Sequence, residues 1–153
     1  MKKWVVGLSV LAVIAVSAMF SVSTFSHCQI PFGIYGDDLR FSLMKEHITT
    51  MEKSMRLIKE LSADNPDLNT NQIVRWVNNK DEHAEQFTKI VTYYFMAQRV
   101  KPADPGDKAA LKAYQDKVVL LHKMIVEAMK CKQTTDQKHI HNLEHLVEDF
   151  YNA

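Results

Sequence analysis

Four stretches of this chain repeat one alternation of apolar and polar positions. From Asp37 to Leu61 the apolar residues are Phe41, Met44, Ile48, Met51, Met55 and Ile58. Their spacings run three, four, three, four, three, which is one face of an amphipathic helix. Asp37 or Asp38 offers the N-cap. Ser62 to Thr70, with Asp64, Asn65, Pro66 and Asn69, ends this helix and caps the next. The second pattern, from about Asn71 to Arg99, carries Ile73, Trp76, Val77, Ala84, Phe87, Ile90, Val91, Tyr94 and Phe95, with Lys80 and His83 intruding on or beside that face. Two prolines and a glycine between Lys101 and Asp107 break the chain. The third pattern, Lys108 to Lys130, shows Leu111, Tyr114, Val118, Leu121, Ile125 and Ala128. Thr134-Thr135-Asp136 caps a fourth, whose face is Ile140, Leu143, Val147 and Phe150. No strand pattern occurs. Four helices joined by short loops predict an all-α fold, an antiparallel up-down four-helix bundle over residues 37–153.

What precedes the bundle is of a different kind. Lys2 and Lys3, an apolar run from Trp4 to Phe20 and a small, polar stretch from Ser21 to Ser26 read as a cleavable signal peptide over residues 1–26. Thr24 and Ser26 occupy the −3 and −1 positions of a cut before His27. The rival reading is an uncleaved leader that anchors the chain in a membrane. The mature chain would hold 127 residues of the 153, one modest domain. Loss of Lys2 and Lys3 leaves 17 basic against 18 acidic side chains, with the signs interspersed. That balance argues against a nucleic-acid partner.

The cut gives residues 27–36 their chemistry. His27 would then offer an α-amine and an imidazole, and Cys28 a backbone nitrogen and a thiolate. Four nitrogen and sulfur donors within two residues suit Ni(II) or Cu(II), which favour tetragonal sets. Other clusters are weaker. Met44, Met51 and Met55 fall on the core stripe, where methionine fills gaps rather than binding copper. His141, His145 and Glu148 form one row on the fourth helix, a solvated face that could also chelate Zn²⁺ or Cu²⁺. His47 and His122 adjoin Ile48 and Leu121 as boundary residues. Inward glutamates of the di-iron bundle type are missing from the stripes. Cys28 and Cys131 are the two cysteines of a chain bound for an oxidising space. In an up-down bundle they lie at opposite ends, and a helix of about 23 residues is roughly 35 Å long, which leaves a bridge between subunits as the disulfide alternative.

The stretch His27-Cys28-Gln29-Ile30-Pro31-Phe32-Gly33-Ile34-Tyr35 resembles the hook of the nickel-containing superoxide dismutases, which reads His-Cys-x-x-Pro-Cys-Gly-x-Tyr at the mature N-terminus. His27, Cys28, Pro31, Gly33 and Tyr35 keep five of its six fixed positions, and Phe32 stands where the family has its second cysteine. The resemblance implies a bundle carrying one metal ion per subunit. His27 would be the amine and axial imidazole ligand, Cys28 the amide and thiolate ligand. It assigns Tyr35 to gating and hydrogen bonding of superoxide, and His83 to a supporting contact with the hook histidine, where the family has a basic residue on the second helix. It further implies two-step dismutation of superoxide to O₂ and H₂O₂, and a homohexamer, secreted or periplasmic. With Phe32 in place of a thiolate, the expected metal is copper or nickel. The alternative function is a non-catalytic nickel- or copper-binding protein of the cell envelope. A third reading is a leader-anchored bundle with an interaction role and no metal.

Overall fold

A computed structural model of the chain describes residues 36–153. The expectations for the leader and for His27, Cys28, Pro31, Phe32, Gly33 and Tyr35 lie outside these residues. Four helices follow one another. They are α1 (Asp37–Asp64), α2 (Pro66–Lys89), α3 (Lys108–Gln133) and α4 (Lys138–Asn152). A π-helical segment, Ile90–Arg99, continues α2. Each helix packs on its sequence neighbours and α4 closes back on α1. The result is the expected up-down bundle, with no strand among the described residues. None of its helices is long and apolar enough to cross a membrane.

The stripes of α1 and α4 form the core as their spacing requires. Phe41, Met44, Ile48, Met51, Met55 and Ile58 are all buried, as are Ile140, Leu143, Val147 and Phe150. Each such side chain contributes about 1.5–3 kcal/mol of hydrophobic stabilisation. At the end of the bundle where α1 begins, Phe41, Phe95 and Phe150 form one aromatic cluster. Phe41 and Phe95 have ring centroids 4.9 Å apart, and Phe95 meets Phe150 edge-on at 5.1 Å. This cluster is the floor beneath the entry to α1.

Three boundaries differ from the sequence reading. The link between α1 and α2 is Asn65 alone, not Ser62 to Thr70. Asn65 ends α1 in an extended conformation, and its side-chain oxygen accepts from the Leu68 amide at 3.2 Å. Pro66 takes the first helical position, where its missing N–H costs nothing. At the start of α1 the N-cap is Gly36, with no side-chain cap, and Asp37 and Asp38 fall inside the first turn. There they face the positive end of the helix dipole. The cap of α4 is Gln137, also without a side-chain bond, although Asp136 accepts from the Lys138 amide at 3.0 Å. Like α2 with Asn65, α3 is capped by a side chain at the residue just before it, with Asp107 accepting from the amides of Ala109 and Ala110 at 3.0 Å.

The two hairpins are offset along the bundle axis. Gln137, just before α4, reaches the carbonyl of Glu52, and the end of α3 meets Lys80. The last turns of α1 and the first of α2 therefore project beyond α3 and α4. Residues 62–68 are exposed, and Ile73, Trp76 and Val77, expected in the core, are half-exposed.

Candidate metal centre and its supports

Of the expected site residues, His27, Cys28 and Tyr35 lie outside the described residues, and His83 lies within them. What the structure shows is how the start of α1 is held. Asp37, two residues after Tyr35, is fastened to the far end of the second helix. Tyr94 donates its hydroxyl to Asp37 Oδ1 at 2.6 Å, and Arg99 donates to Oδ2 at 2.7 Å. Burial pushes the Asp37 carboxyl up, but the bonds from Arg99 and Tyr94 outweigh it and hold the group below its ordinary range. The Arg40 guanidinium lies 5.0 Å from the centre of the Tyr94 ring. The π-helical turn serves this arrangement. Its wider spacing buries Val91, Tyr94 and Phe95 together, and the Val100 amide reaches back five residues to the Phe95 carbonyl at 2.9 Å.

His83 is half-buried on α2 and faces α1. Its Nδ1 lies 2.9 Å from Nδ1 of His47, and the rings cross at 61°. His47, expected at the boundary of the core, is buried at 8 % exposure. One ring donates and the other accepts. Burial, and next the neighbouring His83, hold the His47 pKa below its ordinary value of 6.5, while Glu46 acts weakly the other way. A folded histidine with a depressed pKa stays neutral where the unfolded one takes a proton. Its contribution to stability is therefore present above 6.5 and lost as the pH falls through the folded value. We expect the melting temperature of the protein to drop on acidification from neutral pH, and His47→Gln to flatten that part of the curve. An unchanged slope in the variant would mean that His47 is not the group responsible.

Lys80, the other intruder on the α2 face, is buried at 2 % exposure. Its ammonium donates to the carbonyls of Cys131 at 2.7 Å and Lys132 at 2.6 Å, and to Asp81 at 3.0 Å. These carbonyls belong to the last turn of α3, where a helix lacks internal partners and its dipole is negative. Lys80 is therefore a cap supplied by a neighbouring helix.

A second polar tie joins α3 to α4 and was not legible in the sequence. Glu127 accepts from Lys130 at 2.7 Å, shares a 2.6 Å bond with His139 Nδ1, and accepts from Asn142 at 3.3 Å. Burial raises the Glu127 carboxyl, and the bonds from Lys130, His139 and Asn142 overcome this and lower it. Its partners saturate it, and its work is to fix the α3–α4 angle. His141, His145 and Glu148 point into solvent, and no group of three or more metal-ligating side chains occurs among the described residues. Cys131 is fully buried, with its thiol pushed up to about 12 by burial and by Glu127. A thiol so placed is a small core residue and a poor nucleophile.

The class these features define is a small all-α four-helix bundle. The chain matches the family described as nickel-containing superoxide dismutase over residues 21–153, hook segment included, and it belongs to that family. No curated protein and no solved structure matches it. At the level of the family, the metal is nickel and the substrate is superoxide.

Proposed function

We propose that the chain is an exported superoxide dismutase whose site forms at His27 and Cys28 once the leader, residues 1–26, is removed. The observation that carries this is the family match, which spans the hook segment and the bundle together. The donor set suits the metal. An amine, an imidazole, an amide nitrogen and a thiolate form a tetragonal set for Ni(II) or Cu(II), one ion per subunit. When bound, such an ion supplies one-electron redox chemistry for both halves of the dismutation.

The residues do the rest. His27 holds the ion through its amine and imidazole, Cys28 through its amide and thiolate. Tyr35 hydrogen-bonds the incoming anion and restricts its approach. His83 steadies the His27 imidazole through Nε2, its Nδ1 being engaged by His47. The Asp37 clamp to Tyr94 and Arg99 fixes the point from which the hook departs. A homohexamer is part of this proposal, and sedimentation velocity reads it directly.

Phe32 distinguishes this chain from the family pattern. It removes one thiolate donor and shifts the set toward copper, whose Cu(II)/Cu(I) couple needs less donor support. Phe32→Cys should raise nickel affinity at least tenfold in competition with a chelator. An affinity that does not move would sink the argument that the lost thiolate governs metal choice. The same phenylalanine favours a second reading, a non-catalytic nickel- or copper-binding envelope protein.

The deciding experiment is intact mass and metal content of protein purified from its native compartment, with a dismutase assay on the same sample. A chain starting at His27, holding one nickel or copper per subunit and turning over superoxide, supports the enzyme. The same chain with metal and no turnover supports the binding protein. A chain retaining Met1 supports the anchored leader and removes the site.

A further inference from the structure

We propose that His47 and His83 form a second cation site, separate from the hook, that takes Cu(II) or Ni(II) between their two Nδ1 atoms. The pair joins facing turns of α1 and α2, and no part of the dismutation chemistry proposed above runs through His47.

The spacing is the first argument. Imidazole nitrogens lie about 2.0–2.1 Å from a bound first-row ion. Two of them are then about 2.9 Å apart when they subtend a right angle, and about 3.4 Å apart at the tetrahedral angle. The observed separation is 2.9 Å, the value for adjacent corners of the square preferred by Cu(II) and Ni(II). The second argument is rigidity. Both side chains stand on helices in the packed part of the bundle, so the separation is set by backbone rather than by mobile loops. The third is access. His47 is buried, whereas His83 keeps a partly exposed edge through which an ion and its waters can enter.

Metal replaces a hydrogen bond here at little cost in protons. In the free pair one ring carries its proton on Nδ1 and the other accepts it. To offer both lone pairs, the donor ring must lose that proton to solvent and gain one at Nε2, a change of tautomer with no net release. A modest rotation about χ2, which is soft in histidine, brings both lone pairs onto one point. Water fills the remaining corners. Each ring is then left with a proton on Nε2. The contact proposed between His83 and His27 uses that atom as the acceptor of the ligating imidazole's N–H, so an ion at the pair and that contact exclude each other.

The test uses the full chain with the other chelates removed, carrying His27→Ala, Cys28→Ser and His141→Ala. Titration of this protein with copper(II) sulfate should show one equivalent bound. The electron paramagnetic resonance spectrum should show coupling to nitrogen, and the melting temperature should rise with added copper because only the folded pair binds. Adding His83→Gln should lower copper affinity at least tenfold and abolish the rise, while the metal-free circular dichroism stays helical. His47→Gln should do the same and serves as the second arm if one variant fails to fold. A background chain that takes up no copper, or a folded His83→Gln chain that binds it equally well, overturns the proposal. Neither result touches the hook, which these proteins lack.

Discussion

Lys80→Met should lower the stability of the bundle by about 2–3 kcal/mol and its melting temperature by about 10 °C. Methionine keeps the length and most of the volume of the side chain, so the loss measures hydrogen bonds rather than a cavity. Two carbonyls at the end of α3, now bonded at 2.7 and 2.6 Å, would be left facing an apolar group. Burying the ammonium is itself costly, which keeps the net effect below the sum of two charge-assisted bonds. Thermal and urea unfolding of the two proteins decide the matter. A change under 1 kcal/mol would show that water or another cation replaces Lys80, and that the cap it provides is dispensable.

His27→Ala carries the largest expected effect on activity. The substitution keeps the α-amine and a small residue at the proposed cut, and removes the imidazole alone. Dismutase turnover should fall by about two orders of magnitude or more, since loss of a ligand exceeds the 10–100-fold typical of losing a partner behind one. Circular dichroism and melting should be unchanged, because the bundle's core begins at Phe41. Turnover equal to that of the unaltered protein would refute the hook as the site.

These two residues illustrate what the sequence could and could not reveal. The stripes of α1 and α4 were legible because they alternate apolar and polar residues without ambiguity. On α3 the periodicity offers two neighbouring rows. The structure buries Leu121, Met124, Ala128 and Cys131, and leaves Ile125 only half-buried. Spacing cannot choose between Met124 and Ile125, because both are apolar and adjacent. Leu111, Tyr114 and Val118 are half-exposed for a different reason. Lys117 lines a cleft of about 270 Å³ with Asp37, Phe41, Phe150 and Ala153, so the turns before it lie past the ends of α1 and α4. Their stripe has little to pack on.

The intruders on α2 were visible as misfits, but their partners were not. Lys80 finds carbonyls 51 and 52 residues away, and His83 finds a histidine 36 residues away. Carbonyls leave no mark in a sequence, and which turns of two helices face each other depends on the link between them. Asn65 sets that register, and the sequence reading had spread the link over nine residues. Glu127 was missed for a similar reason. It reads as a surface glutamate until His139, twelve residues on, is brought against it. The family was the reverse case, legible from five positions between His27 and Tyr35, because such a motif is local in sequence.

The projecting end of the α1–α2 hairpin has a consequence for how the protein opens. Beyond Ile58 and Lys80 the two helices have only each other to pack on. Few apolar contacts and an exposed backbone make a region that opens at lower free energy than the rest. Amide protons near Asn65 should therefore exchange with solvent through local melting of this tip, while those around Met51 and Phe87 wait for global unfolding. The molecule is thus two cooperative units in one chain, a tip that frays and a body that does not, and the clamp at Asp37 belongs to the body.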